Sequence, residues 1–371
     1  MSGPRLSRDL HPGAWWLWAM GLAAAATATT NPLLLLMIVG IAGVTVSLRR
    51  SDHPWSRAFR LYLVFGLVIV VIRVLFRVLL GGGHGSVVLL ELPEIPLPEW
   101  VAGIRLLGTV TLESVLAGLY DGIRLATIVI CVGAANSLAN PKRLLKSMPP
   151  ALYEIGTAIV VSVALLPQLA DSLRRVRAAR QLRGVPGSRI GRLRGIVVPV
   201  MEDALERSMS LAAGMDARGY GRAGDLTRAQ RRTTGALMLT GLVGICFGTY
   251  ALLDQTAPRW LVVPGLTGGV ALAAGGFWSA GRRVQRSRYR PDRWLAAETG
   301  VALSGMAVAA GVLGGLHGDM VLHPPLDEVP TVTATALLVV MLGIVAALIS
   351  PPPVLAHPVE PSREVADARA A

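Results

Sequence analysis

The sequence predicts an all-α, polytopic membrane protein with about eight transmembrane helices. Three observations carry that reading. Of 371 residues, 53% are hydrophobic and only 16% are charged, against ~25% charged in an ordinary soluble domain. Apolar runs long enough to cross ~30 Å of hydrocarbon recur along the chain. No series of segments alternates strictly between apolar and polar residues, as the strands of a transmembrane barrel would. The net charge of +13 would suggest nucleic acid in a soluble protein. Here the positive-inside rule accounts for it, so the expected partner is the lipid bilayer and no nucleic acid.

Taken in order, the apolar runs cover about 14–30, 33–48, 59–80, 109–136, 152–168, 235–253, 259–280, 297–316 and 333–350. Arg5 and Arg8 precede the first run and place the N-terminus inside. The run ends at Ala26-Thr27-Ala28, which has the form of a signal-peptidase site. An uncleaved first helix is the expectation for a polytopic chain, and the remaining topology is the same either way. The short, uncharged turn Thr29 to Pro32 is outside; Arg49, Arg50, Arg57 and Arg60 are inside. The loop 81–108 carries Glu91, Glu94 and Glu99 among glycines and prolines and is outside. Lys142, Arg143 and Lys146 follow, inside.

At this point alternation fails. If 152–168 crossed, the arginine-rich stretch from Arg174 to Arg232 would lie outside, against the strongest charge signal in the chain. One alternative is that 152–168 is an ordinary ninth span with a misread neighbour; the economical solution is that 152–168 does not span. It is then the apolar half of one helix from about Leu152 to Arg183, ~48 Å long, with Pro167 inside it. After it, Pro186, Gly187 and Gly191 read as breakers. A second helix is expected from near Pro199, a residue favoured in a first turn, with Glu202 and Asp203 at the positive end of its dipole. Leu205, Met209, Ala212, Ala213 and Met215 follow helical spacing, and the helix stops at Gly219. Beyond this region alternation resumes. Asp254 is outside, Arg282 to Arg293 inside, and Asp319, Asp327 and Glu328 outside, with the C-terminus inside.

The expected organisation is therefore membrane helices in 1–137, a cytoplasmic region 138–234 that includes the membrane-embedded helix start 152–168, membrane helices in 235–350, and a disordered cytoplasmic tail 351–371. The protein is expected in the cell membrane, multi-pass, with both termini cytoplasmic.

Cys131 and Cys246 both fall in apolar runs, and the six histidines stand singly in loops. Neither set has the spacing of a metal site, so no metal and no cofactor is expected. Lys142 and Lys146 are the only lysines, and neither follows glycine. A phosphate-binding Gly-Lys-Ser/Thr loop is thereby excluded, so the chain is not expected to be an enzyme by itself. Within the apolar runs lie Arg73, Arg77, Glu113, Asp121 and Arg124. Such charges pair or line a cavity. Counted from the outer helix ends, Arg77 and Glu113 share a depth, while Arg73 and Asp121 are deeper and less well matched. Either a structural ion pair or an ion path fits this pattern. Gly244 with Gly248 and Gly265 with Gly269 have the spacing of helix-packing glycines, and Trp15, Trp16 and Trp18 that of an interfacial belt.

Both predicted central helices end in Arg-Gly, at Arg183-Gly184 and Arg218-Gly219. Either pair alone could be a simple C-cap. Two in succession, "AARQLRG" (Ala178 to Gly184) and "MDARGYG" (Met215 to Gly221), resemble the paired Ala-Arg-Gly signatures of the transmembrane T component of energy-coupling factor (ECF) transporters, a family that includes cobalt-transport transmembrane subunits. "ANPKRLLKSMPPALYE" (Ala139 to Glu154) and "VALLPQLADSLRRVRAARQLRG" (Val163 to Gly184) are similar to the segments leading into that family's first signature. "TTNPLLLLM" (Thr29 to Met37) resembles its N-terminal Asp/Asn-Pro before an apolar helix. The resemblance covers roughly 30–250.

It implies that the two central helices are coupling helices. Arg183 with Gly184, and Ala217 with Arg218 and Gly219, would dock onto two cytoplasmic ABC ATPase subunits. ATP-driven motion would pass to a substrate-binding membrane S component for vitamin or metal-ion uptake. Two departures stand out. Leu182 replaces the small residue of the first signature, and the chain adds about three helices, 259–350. The alternatives are a self-contained secondary transporter or channel, which calls for internal repeats, and a membrane-embedded transferase, which calls for clustered acidic residues.

Overall fold

A computed structural model describes residues 8–51, 58–80, 85–93, 107–147, 152–183, 189–220, 227–254, 258–282, 293–316 and 320–353. The chain divides into two compact units, residues 1–144 with 292–371, and residues 145–291.

The first unit begins with α1 (Pro12–Thr27) and α2 (Pro32–Arg49), each opened by a proline in its first turn and by a side-chain cap, His11 and Asn31. α3 (Phe59–Leu79) follows, then strand β1 (Val88–Glu91), strand β2 (Thr109–Thr111) and α4 (Leu112–Leu138). β1 and β2 pair antiparallel, Val88 opposite Thr111 and Glu91 opposite Thr109. A ribbon therefore joins the long outer loop, through β1, to the first residues of the apolar run 109–136, which form β2. α10 (Ala296–Ala310), continued by a π-helical turn Gly311–Gly315, and the short pair α11 (Ala334–Met341) and α12 (Val345–Ile349) complete the unit.

α1 lies at its centre. Trp18 is fully buried, Trp15 is 4% exposed, and the two rings meet edge to face at 5.9 Å. The expected interfacial tryptophan belt is therefore corrected: these rings form core. The Trp18 indole N–H donates to the Gly343 carbonyl at 3.0 Å. α1 and α10 cross where Gly21 meets Gly305 backbone to backbone, an approach that any Cβ would prevent.

Polar contacts fasten each end of this unit. At one end the Arg8 guanidinium reaches the buried Glu298 carboxylate at 3.0 Å, Arg143 donates to the Asp9 carbonyl at 2.9 Å, and Arg49 donates to the Ala347 carbonyl. At the other, the Thr29 hydroxyl donates to the Leu322 carbonyl, and the buried Asn31 amide donates to the Val321 and Thr331 carbonyls, each at 2.8 Å. The ends that loop charges assign to one side are thus gathered together, and so are the ends assigned to the other.

The second unit holds α6 (Tyr153–Arg183), α7 (Arg189–Ala217), α8 (Arg228–Leu253) and α9 (Val262–Arg282); a short α5 (Pro141–Lys146) lies at the unit boundary. α8 and α9 pack through glycine. A Cβ on Gly244 would stand 3.0 Å from the Gly269 Cα, and one on Gly265 would stand 3.0 Å from the Gly248 Cα. Without side chains the backbones approach closely enough for dispersion alone to hold them in lipid.

Among the described residues, seven helices are long and apolar enough to cross a membrane: Pro32–Arg49, Phe59–Leu79, Leu112–Leu138, Ile155–Arg183, Arg228–Leu253, Val262–Arg282 and Ala296–Gly315. α1, at 16 residues, and the apolar segment Ala334–Ile349 are shorter. The architecture is that of an all-α, multi-pass membrane protein.

Candidate functional site

The two Arg-Gly ends sit on α6 and α7. α6 runs unbroken from Tyr153 to Arg183 with Pro167 inside it. α7 begins at Arg189 and not near Pro199. The reason lies one turn before the proline. A proline ring clashes with the carbonyl four residues back, and that residue is Gly195, which has no side chain of its own to obstruct the adjustment. Glu202 and Asp203 are consequently mid-helix residues and not first-turn partners of the dipole.

The chain leaves α7 through a Schellman turn. The Tyr220 N–H donates to the Met215 carbonyl at 3.0 Å and the Gly219 N–H to the Asp216 carbonyl at 2.9 Å, with Gly219 at φ 76°. Gly219 is needed there because a left-handed residue with a Cβ is strained. Arg218 is the capping residue before it, and both Ala217 and Arg218 are exposed. Arg183, the last residue of α6, is also exposed, beside Leu182 at 90% exposure. Gly184 lies outside the described residues.

α6 and α7 cross antiparallel. The Asp203 carboxylate on α7 accepts from Arg175 of α6 at 3.4 Å and from Arg207 of its own helix at 3.0 Å. Five residues further along α6, the Arg180 guanidinium fills the space a side chain on Gly195 would occupy, eight residues back along α7. The two helix C-termini therefore point in opposite directions. From the Arg180–Gly195 contact, Arg183 lies one turn one way and Ala217 lies 22 residues the other. For straight helices this puts Arg183 and Ala217 roughly 38 Å apart. A hydrogen bond from the buried Ser172 hydroxyl, together with Arg207 and Arg175, holds the Asp203 carboxyl below its ordinary range. One face of α7 is apolar and exposed at every fourth residue: Leu193, Val197, Met201, Leu205 and Met209.

The intramembrane charges occupy α3 and α4 of the first unit. Arg77 pairs with Asp121 at 3.8 Å and not with Glu113 at its own depth. The Glu113 carboxylate is taken by the Ser86 N–H at 2.8 Å and the Ser86 hydroxyl at 2.7 Å. Gly118 and Gly122 explain the outcome. A Cβ at Gly122 would meet the Val70 Cα at 3.0 Å and one at Gly118 would press on the Arg77 stem, so α3 seats close to α4 and brings Arg77 level with Asp121. Arg73 lies one turn away on α3, exposed, with no partner among the described residues. Arg124 donates to the Thr27 carbonyl at the end of α1.

Sequence reasoning missed two groups. One is the Ser172–Asp203–Arg175 junction, whose sole sequence signal is the four-residue spacing of Asp203 and Arg207. The other is Glu298, a lone acid opening an apolar run, which the rarity of intramembrane carboxylates could have flagged.

A family model described as cobalt transport protein matches residues 4–228. The chain is 27% identical over 218 residues to the energy-coupling factor transporter transmembrane protein of Limosilactobacillus fermentum, a stretch covering 55% of this chain and 75% of that protein. It is 27% identical over 162 residues to the protein of the same name from Streptococcus thermophilus, covering 41% and 58% of the two chains. With the one from Exiguobacterium sibiricum it shares 33% identity over 104 residues, covering 25% and 40%.

Proposed function

Since the chain belongs to the cobalt transport protein family, we propose that it is the transmembrane energy-coupling subunit of an ECF-type ABC importer. It passes ATP-driven motion from two cytoplasmic ATPase subunits to a substrate-binding membrane S component that imports a vitamin or a metal ion. The single observation that carries this reading is the placement of Arg183 and Arg218. Two exposed arginines at opposite tips of a crossed helix pair, roughly 38 Å apart, suit two docking grooves and are too far apart to share one. Arginine's planar fork matches a carboxylate-lined groove. With no Gly-Lys-Ser/Thr loop in the sequence, the energy is supplied by the separate ATPases. The exposed apolar row of α7, from Leu193 to Met209, offers a surface to the membrane-embedded partner.

The proposed topology keeps both termini, the arginine half of α6 and α7 in the cytoplasm, with 152–168 embedded in the membrane without crossing it. Support comes from the first unit alone. The contacts Arg143–Asp9 and Arg8–Glu298 bring the end of α4 and the start of α10 together, which supports their lying on one side of the membrane. The intervening chain therefore crosses an even number of times. α8 and α9 supply two crossings. A crossing by α6 would need a fourth, and α7 is not among the helices apolar enough to provide it.

The test is Arg183→Glu with Arg218→Glu. The double variant is expected to insert normally and to lose copurification with the ATPases; retained assembly and transport would refute the docking role. A membrane-impermeant reagent that labels single cysteines at 185–195 from outside intact cells would overturn the topology.

A further inference from the structure

We propose that Asp203 is a positioning residue that sets where Arg218 is presented, by fastening the distal half of α7 to α6 beyond the proline of α7. The assignment deepens the docking role proposed above and rests on it.

The Asp203 carboxylate receives three donors, two from α6 and one from α7. Arg175 and the Ser172 hydroxyl reach across, and Arg207 braces from one turn along the same helix. Ser172 is 2% exposed, so this part of the junction is sealed between the helices. A second meeting point is at Gly195, where the Arg180 guanidinium occupies the space a side chain would fill. Pro199 stands midway between the two. It donates no hydrogen bond to the helix ladder and is the position at which α7 bends most readily.

The two meeting points therefore have different jobs. Arg180 packs against the half of α7 beside Arg183, at Gly195. Asp203 holds the half that ends in Arg218. From Asp203 to Arg218 the helix is a lever of roughly 22 Å. A swing of about 10° at Pro199, roughly 28 Å from Arg218, moves that tip by about 5 Å, while a charge-assisted hydrogen bond tolerates only a few tenths of an ångström. Loosening Asp203 is thus equivalent to misplacing Arg218, and it leaves Arg183 where it was.

The experiment has two arms. In the first, the purified chain carries Cys246→Ser and spin labels at Leu182→Cys and Ala213→Cys, both exposed positions, and the distance between labels is measured by pulsed electron resonance. Asp203→Ala is expected to broaden a narrow distribution, and Asp203→Glu to restore it. An unchanged distribution in Asp203→Ala overturns the proposal whether or not the ATPase reading holds. The second arm is a double-mutant cycle on ATPase capture. Asp203→Ala alone is expected to weaken capture about two- to fivefold, the range that part-exposed ion pairs support. It should add nothing to Arg218→Ala and its full effect to Arg183→Ala. Equal additivity with both arginines overturns the proposal. Failure of the wild-type chain to capture ATPases refutes the docking role, and the label distances still decide the fastening.

Discussion

Replacing Trp18 should unfasten the first unit, and the structure sets the size of the effect. Trp18 is fully buried, abuts Trp15, and reaches across to the Gly343 carbonyl. In a membrane the water-transfer part of a large-to-small substitution largely drops out, because lipid is as apolar as the core. The packing part remains, since the atoms lining a void lose their partners in any solvent. Trp→Ala removes roughly 140 Å³, and at about 24 cal/mol per Å³ of cavity this amounts to about 3.4 kcal/mol. The freed Gly343 carbonyl adds about 0.6–1.7 kcal/mol, from the average to the largest value for intramembrane hydrogen bonds. The sum is about 4–5 kcal/mol. At about 2–4 °C per kcal/mol for a unit of this size, Trp18→Ala should lower the melting temperature by roughly 8–20 °C.

Trp18→Phe separates the terms. It keeps most of the ring volume and loses the donor, so about 1.5–2.5 kcal/mol is expected. The assay is the fraction of monodisperse protein left after graded heating in detergent, followed by size-exclusion chromatography. A Trp18→Ala chain that melts within 2 or 3 °C of wild type would refute the reasoning, since it would mean that residues near 343 do not enclose α1.

The other predictions concern the coupling pair. Gly219→Ala should raise amide exchange at Gly219 and Tyr220 by disfavouring the left-handed turn by about 1–2 kcal/mol, and should weaken ATPase capture, while Gly219→Asn retains most of both. The Asp203 pKa is depressed from its ordinary 3.8, so its contribution is complete above that value and is lost as pH falls through the lower, folded-state pKa. Label distances across the α6–α7 junction should therefore be constant from pH 7 to about 5 and should broaden only in strong acid. Arg183→Glu and Arg218→Glu taken singly should each weaken capture without abolishing it, because two attachments roughly 38 Å apart act as independent ends of one bivalent contact; complete loss from either single variant would show that the two tips form one site.

What could be read from the sequence, and what could not, divides along physical lines. α6 was legible because its apolar half and its arginine half share one helical period with no breaker except a tolerated proline. The start of α7, at Arg189, is not legible in the same way. Gly187, Gly191 and Pro199 are breakers by propensity, but Gly195 sits where Pro199 needs room, and that compensation operates between residues four apart. Trp15 and Trp18 have the same hydropathy in a core as at a headgroup layer. What tells the two apart is a partner, Gly343, more than 300 residues away.

The intramembrane charges make the same point more sharply. Depth along a helix can be counted from the sequence, and on depth alone Arg77 belongs with Glu113. Pairing depends equally on which faces meet and on who else competes for the carboxylate. Gly118 and Gly122 decide the first by letting α3 settle onto one face of α4. Ser86 decides the second by offering Glu113 two donors from the segment before β1, at no cost in bringing an arginine to the helix end. Asp121, one residue from the closest approach of the two helices, is then the acid left within reach of Arg77. In lipid, where hydrophobicity no longer distinguishes inside from outside, small residues that let helices meet govern which polar groups find each other. The same rule joins Gly21 to Gly305 and Gly244 to Gly269. Charge tells the chain which side each end belongs on, and glycine tells it which helices touch.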